Sequence, residues 1–380
     1  MIKTYKYKLY NSKQNKHLEN DLNTACWIYN HCIALHKTYY RLYKKTLNSN
    51  KLKKHLTKLK KRQRYQKWNT LNSQTIQDIT ERIDKAYKQF FKNLKKHRPP
   101  KFKSRFMYKS ITFKQCGFKL LDNNKIKIGG RTYTYWKSRE INGKVKRVMI
   151  KQDTVGDFYL YLFVDEVLKP KAFKTGKIAG CDFGLKTFLF TSDNKKIESP
   201  LYLSQNIKRL RKVHRNFSLK KKGSNNRKKA RRSLAKVHKK VVNQRTDFQF
   251  KLANSLIQKY DELYFETLNL EGMKKLWGRK VSNLALDSFL RILEWKALES
   301  GKHIGYIDRW FPSSKLCSVE GCGWIKEDLK LKDRVWECGA CHTVHDRDFN
   351  ASKNILRAGT SAYEGDKTSG IGNIDFKFCC

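Results

Sequence analysis

The hydrophobic period of this chain changes twice, and each change fixes what the next stretch can become. Residues 14–98 carry apolar side chains three to four apart: Leu18, Leu22, Ala25, Ile28 and Tyr29 early, then Ile76, Ile79, Ile83, Tyr87 and Phe90. That spacing predicts amphipathic helices. Pro99 and Pro100 end the block, because proline lacks an N–H and clashes with the preceding turn. Beyond them the period falls to two in "SITFKQCGFKLL", "KIKI", "RTYTYWKSREI", "KRVMIKQDT" and "DFYLYLFVDEV". "DNNK", "GG", "NGK" and "GD" supply the turns between. The reading is a small antiparallel β-barrel. The alternating residues 1–10 add a strand, and the helical block is inserted into the barrel.

A third regime starts near Lys174. "KIAGCDFGLKTFLFTSDNKK" reads as two tightly joined strands, followed by helical stretches around 201–219 and 225–260. Then come a strand in "ELYFETLNL", a helix in "SFLRILEWKALESG", a strand in "HIGYIDRWF", a cysteine segment and a helix from about Asn350. Strands alternating with helices in this way predict an α/β layer around a mixed sheet.

Three acids stand out within that layer. Asp182, in "IAGCDFGLKTF", and Glu266, in "ELYFETLNL", sit among apolar strand residues. A carboxylate there is costly to bury unless it is paired or holds a cation. Asp348, in "HDRDFNASKNIL", stands at a helix start, where it reads equally as an N-cap. Clustered carboxylates repel and favour hard divalent cations such as Mg²⁺. Two such ions about 3.5–4 Å apart clamp the attacking and leaving oxygens of a phosphoryl displacement. This chemistry points to a metal-dependent nuclease. Spacing alone leaves Asp346 as a rival to Asp348.

Cys317-x4-Cys322 and Cys338-x2-Cys341 have the spacing of a four-thiolate Zn²⁺ site. His342 and His345 stand close enough to substitute, but four thiols fill a tetrahedron, so the zinc would be structural. It would tie a basic loop bearing Lys326, Lys330, Lys332 and Arg334 beside the helix of Asp348. Cys26, Cys32, Cys116 and Cys181 read as core residues. Cys379 and Cys380 end a stretch read as disordered. No segment reads as a signal peptide or membrane span. The expected setting is the cytoplasm, with nucleoid association on DNA, and no membrane partner.

Charge supplies the partner. The chain has 84 Lys and Arg against 33 Asp and Glu, a net +51 over 380 residues, with 13% aromatics. Such a body needs a polyanion, and its aromatic faces suit bases. From Lys208 to Lys240 there are 16 Lys or Arg in 33 residues and no acid, so ion pairing along the helix cannot account for the charge. Arg227, Lys228, Lys229, Arg231 and Arg232 are the expected phosphate contacts there. The basic stretch 51–67 invites the same reading, and Gln74 and Gln77 are candidates for reaching base edges.

"GCDFGLKTF", "YFETLNLEGM", "WFPSSKLCS" and "CGACHTVHDRDFNASKNI", in this order, closely resemble the TnpB proteins of bacterial insertion sequences. "PPKFKSRF" and the N-terminal segments extend the likeness over nearly the whole chain. The resemblance implies an RNA-guided DNA endonuclease, related to type V CRISPR effectors and using two catalytic Mg²⁺ and one structural Zn²⁺. Asp182, Glu266 and Asp348 would be its catalytic acids, since the family places its third acid at the second Asp of "DRD". Cys317, Cys322, Cys338 and Cys341 match its zinc ribbon, although the first pair here is two residues wider than usual. The implied fold is multi-domain α+β. A wedge barrel (1–12 and 99–172) is interrupted by a helical recognition domain (13–98). An RNase H-like RuvC domain (173–311 and 343–358) carries an inserted zinc ribbon (312–342). A disordered tail spans 359–380. The implied partners of the monomer are a guide RNA and double-stranded target DNA. The competing readings are a nuclease-weak RNA-guided regulator, an RNA-independent transposition accessory and a miniature CRISPR effector.

Overall fold

The structure, a computed structural model, describes residues 2–114, 117–167, 174–184, 187–330 and 332–369. Cys116, Cys379 and Cys380 lie outside the described residues. The chain divides into two compact units, 1–168 and 169–380.

The first unit opens with β1 (Ile2–Lys8), followed by α1 (Asn15–Tyr43), α2 (Ser49–Lys60), a 3-10 helix (Gln63–Thr70) and α3 (Ser73–Lys92). Asn48 and Asn72 cap α2 and α3 by accepting from Lys51 N and Gln74 N. Six strands complete the unit: β2 (Ser110–Lys114), β3 (Phe118–Leu121), β4 (Lys125–Ile128), β5 (Arg131–Thr134), β6 (Lys144–Gln152) and β7 (Phe158–Asp165). Alternation along β1, β2, β6 and β7 turns Tyr5, Tyr7, Ile111, Phe113, Val148, Ile150, Leu160 and Leu162 to one face. All are buried, in one core with Leu18, Ile28, Trp68, Ile79 and Ile83 of the helical block. Helices and sheet therefore share a single apolar interior.

Among the described residues the expected barrel does not close. β1-β7-β6-β2 form one antiparallel sheet, and β3-β4-β5 form another. They touch through a single bridge, Leu9 to Tyr135, flanked by the bonds Tyr10 N to Thr134 O and Trp136 N to Lys8 O, both 2.9 Å. Among the described residues no ladder joins β2 to β3. The second sheet consists of four-residue strands, which offer too few ladder bonds to hold a second seam.

The second unit begins with β8 (Ile178–Asp182), β9 (Thr187–Thr191) and β10 (Lys196–Glu198), one strand more than the sequence reading. Next come α4 (Tyr202–Gln205), α5 (Ile207–Ser218), α6 (Asn225–Lys259), β11 (Glu262–Glu266), α7 (Leu270–Leu284), α8 (Leu286–Ser300) and β12 (His303–Ile307). A hairpin, β13 (Val335–Glu337) and β14 (Val344–Asp346), leads into α9 (Arg347–Ser369). The sheet order is β10-β9-β8-β11-β12; β8, β11 and β12 run parallel, and β9 and β10 antiparallel to their neighbours. This is the mixed α/β sheet that the alternation implied.

Side-chain alternation divides the sheet's two faces. Ala179, Cys181, Leu263 and Phe265 pack with Leu256, Phe289 and Leu293 of α6 and α8. Tyr264 and Ile307 pack with Ile355 of α9. The helix α9 extends through Ser369, so 359–369 are helical where the sequence reading expected a disordered tail; the rest of that tail, 370–380, lies outside the described residues. Tyr363 stacks on His303, with ring centroids 4.1 Å apart. The contact that fixes α9 lies at Gly180. A Cβ there would stand 2.1 Å from Ser352 O and 2.4 Å from Leu356 N. Both are backbone atoms and have no rotamer to yield. Gly180→Ala should therefore cost about 1–3 kcal/mol in urea unfolding of the full chain. An unchanged midpoint would mean that α9 does not pack this closely.

Candidate active site

Asp182 and Glu266 are the last residues of β8 and β11. These strands are parallel neighbours, with Cys181 opposite Phe265, so the two acids emerge side by side at the carboxyl edge of the sheet. Ligand sites of α/β sheets form at that edge. Cys181 and Phe265 point into the α6–α8 core, and alternation turns Asp182 and Glu266 toward the α9 face. Burial pushes the Asp182 carboxyl up to about 8, and the nearby charges of Asp348 and Glu266 add to the effect; Arg347 opposes it. Burial also raises the Glu266 carboxyl.

The structure separates Asp346 from Asp348. Asp346 Oδ1 accepts from Asp348 N (3.1 Å) and Phe349 N (3.0 Å), so Asp346 is the cap of α9. Its backbone is meanwhile paired with Val335 in the hairpin. Asp348 lies in the first helical turn, and its oxygens accept from Arg334 Nη1 at 3.1 and 3.3 Å. The three acids share one neighbourhood without closing on a point. Among the described residues, only the four cysteines bring three or more candidate ligand atoms within 4.8 Å of one another. Arg334 holds Asp348 in an ion pair on the hairpin side. That ion pair is partly exposed and worth about 0–1 kcal/mol, so a divalent cation could displace it.

The cysteine cluster suits a tetrahedral metal. Cys317 and Cys341 Sγ are 3.6 Å apart, and Cys322 and Cys338 Sγ 3.5 Å. Zn–S bonds of about 2.3 Å imply tetrahedral edges near 3.8 Å. The wide first knuckle closes through Gly321 and Gly323, both at positive φ (76° and 66°), and Cys317 N donates to Trp324 O. His345 is buried, with Nε2 3.1 Å from Cys317 Sγ, and packs on Trp336 as a neighbour of the thiols.

Several participants were not singled out in the sequence. Asn350 and Asn354, one turn apart on α9, lace the preceding loop to the helix. Their side-chain amides donate to Leu316 O (2.7 and 2.6 Å), and that of Asn354 also donates to Ser313 O (2.9 Å). Their i, i+4 spacing inside "DFNASKNIL" was the available signal. Arg347 Nη1 donates to Lys330 O, and Arg347 N to Arg334 O, so the basic loop does lie along the start of α9. Arg347 also lines a cavity of about 200 Å³ with Glu266, Ser313, Ser314 and Lys315. A second cavity, of about 430 Å³, opens beside Glu266 toward Asp287, Glu294 and Tyr306.

The expected nucleic-acid contacts divide. α5 and α6 form a hairpin, and Arg227 clamps it by donating to Phe217 O (3.1 Å) and Lys220 O (2.7 Å), with its guanidinium 4.2 Å from the Phe217 ring. Lys228, Lys229, Arg231 and Arg232 are exposed. In the first unit Gln77 is exposed, whereas Gln74 is half-buried with its Oε1 enclosed.

A raised Asp182 has a definite sign. The folded state holds a proton that the unfolded state has lost between about pH 4 and 8, so ionisation costs stability as pH rises through that window. In metal-free protein, Asp182→Asn should gain thermal stability over the parent from about pH 4 to 8, with the difference level above and absent below. A pH-independent difference would place Asp182 in a polar setting.

Residues 158–276 match the family described as "Probable transposase" (OrfB_IS605), and residues 287–355 match "Cas12f1-like, TNB domain". Two relatives share the name "Putative RNA-guided DNA endonuclease". One, from Streptomyces pristinaespiralis, is 37% identical over 57% of this chain and 53% of its own length. The other, InsQ of Escherichia coli K12, is 27% identical over 76% of this chain and 74% of its own. The chain thus spans about half the length of the Streptomyces relative. A Cas12f1–sgRNA–target DNA complex shares the fold at TM-score 0.58 and 16% identity, over 91% of this chain and 83% of that one. The mini-RNA-guided endonuclease CRISPR-Cas_phi3 does so at 0.50 and 10%, over 94% and 92%. Over its matched segments, this chain is similar to the "Probable transposase" family and to proteins named as RNA-guided DNA endonucleases and TnpB-like proteins.

Proposed function

We propose that the protein is an RNA-guided DNA endonuclease that hydrolyses phosphodiester bonds at Asp182, Glu266 and Asp348. The observation that supports this reading is that three acids, from two parallel strand ends and one helix start, lie in one neighbourhood at the carboxyl edge of the sheet. The relatives' names and the shared fold support it. When bound, a pair of Mg²⁺ ions would polarise the scissile phosphate, assist deprotonation of water and stabilise the departing oxygen. The three carboxylates would hold them. Asp182 would give up its proton as its neighbours' charge is neutralised, and Arg334 would release Asp348. Lys315 and Arg347, lining the cavity beside Glu266, would seat the phosphate and orient it for in-line attack. Guide RNA would select the target by base pairing, with the protein acting as a monomer.

The test is plasmid cleavage by the purified ribonucleoprotein in Mg²⁺. Alanine at Asp182, Glu266 or Asp348 should each slow cutting by at least about 100-fold, while Asp346→Asn, which keeps a capping side chain, should stay near wild type. Guide-directed binding without cutting by the wild type would favour a nuclease-weak regulator. Sequence-specific DNA binding that survives ribonuclease would favour an accessory protein needing no RNA.

Cys317, Cys322, Cys338 and Cys341 would hold one structural Zn²⁺, with no position left for substrate. Metal analysis of the purified chain should find one zinc per molecule. Cys338→Ser should lower that ratio and the melting temperature together; a zinc-free, equally stable wild type would refute the assignment.

The exposed cations of the α5–α6 hairpin would hold nucleic-acid phosphates without reading sequence. Because Arg227 closes the hairpin, the informative variant changes Lys228, Lys229 and Arg232 to Gln and leaves Arg227 intact. It should bind RNA more weakly, with a salt slope shallower by about 0.7–0.9 per lost phosphate contact. An unchanged slope would remove this surface from the interface.

A further inference from the structure

The loop "DRWFPSSK", Asp308–Lys315, contains one residue that the carboxylate chemistry leaves unused. Trp310 is 77% exposed, more than any other tryptophan described. Single exposed apolar residues are ordinary on protein surfaces, but three features set this one apart. The first is rigidity. Trp310 N donates to Asp308 Oδ1 (2.7 Å), Phe311 N to Asp308 O, Ser313 N to Phe311 O (2.8 Å) and Leu316 N to Pro312 O (2.9 Å). Asn354 ties Ser313 to α9, and Phe311 packs inward against the Tyr264, Ile307 and Ile355 core. The backbone is pinned on both sides of an indole left in solvent.

The second feature is charge. The Arg309 guanidinium lies 4.5 Å from the centre of the Trp310 ring, and a cation so placed can reach a phosphate attached to a base on that ring. The third is position. Phe311, Pro312, Ser313, Ser314 and Lys315 of the same loop line the cleft that ends on Glu266 and Arg347. An aromatic face and an arginine at the lip of a cationic cleft suit a strand whose bases are unpaired. A duplex keeps its base faces stacked and offers none to the indole.

We propose that Trp310 is a stacking platform for an unpaired DNA base next to the bond to be cut, with Arg309 holding the adjoining phosphate. Trp310 is a positioning residue that fixes the strand while the acids act. The proposal rests on reading Asp182, Glu266 and Asp348 as the cutting site, so its test uses a signal independent of cutting. The probe is a short single-stranded DNA carrying one 2-aminopurine, titrated into the full-length chain in an Asp182→Ala background. Stacking should quench its fluorescence in that background and with Trp310→Phe added. Trp310→Ala should abolish the quench and weaken binding about tenfold, without shifting the thermal melt of so exposed a position. Retained quench and affinity in Trp310→Ala would overturn the proposal. So would a matching ribo-oligonucleotide that binds tighter and shows the same Trp310 dependence, which would make the platform an RNA contact. A Trp310-dependent quench in a protein whose wild type cuts no DNA would sustain the platform and reject the nuclease reading.

Discussion

The site depends on a close approach between backbones. Helix α9 lies against β8 so tightly that Gly180 has no room for a methyl group. Asp182 is two residues further along the same face of that strand, and Asp348 is one helical turn before Ser352. A displaced helix would carry Asp348 away from the strand ends bearing Asp182 and Glu266. Gly359 repeats the device further along α9, where a Cβ would meet the Tyr264 ring at 2.4 Å. Helix-to-sheet packing is thus what brings carboxylates more than 160 positions apart in the sequence to one edge.

Charge sets the second constraint. The acids are uncompensated by one another and sit in a chain of net +51. Arg334 pairs with Asp348, Arg347 favours the ionised form of Asp182, and burial opposes it. Two of the cations beside the acids thus come from the residue before β13 and the first residue of α9. Of these two, Arg347 also lines the cavity beside Glu266. The hairpin has a geometric part as well: β14 runs without a break into α9, and Asp346 closes the hairpin while capping the helix. The four thiols at the other end of the ribbon hold the loop that carries Arg334. This accounts for a cysteine staple standing directly beside "DRD".

How much of this was legible can be followed residue by residue. Asp182 and Glu266 were conspicuous because a carboxylate among apolar strand residues is costly, and that cost is visible in a linear sequence. The cysteine spacing was legible for the same reason, since four thiols on two short turns have few other uses. The closed barrel was not, because strand pairing depends on which edges meet. The four-residue strands of the second sheet touch the first at one bridge only. The helix through residues 359–369 was not expected, because that stretch was read as part of a disordered tail. Gly359 is where the helix meets Tyr264.

The sequence by itself determined the periodic regimes, the thiol spacing, the acids set among apolar strand residues and the excess of positive charge. Each follows from residue type and spacing, which local geometry preserves. Tertiary structure alone decided that Asp346 caps α9 while Asp348 faces Arg334, that Arg227 clamps a hairpin, and that Phe311 turns inward while Trp310 stays in solvent. Those outcomes turn on hydrogen bonds and contacts between segments distant in the chain. No local propensity encodes which of two neighbouring acids, or two neighbouring aromatics, meets a given partner.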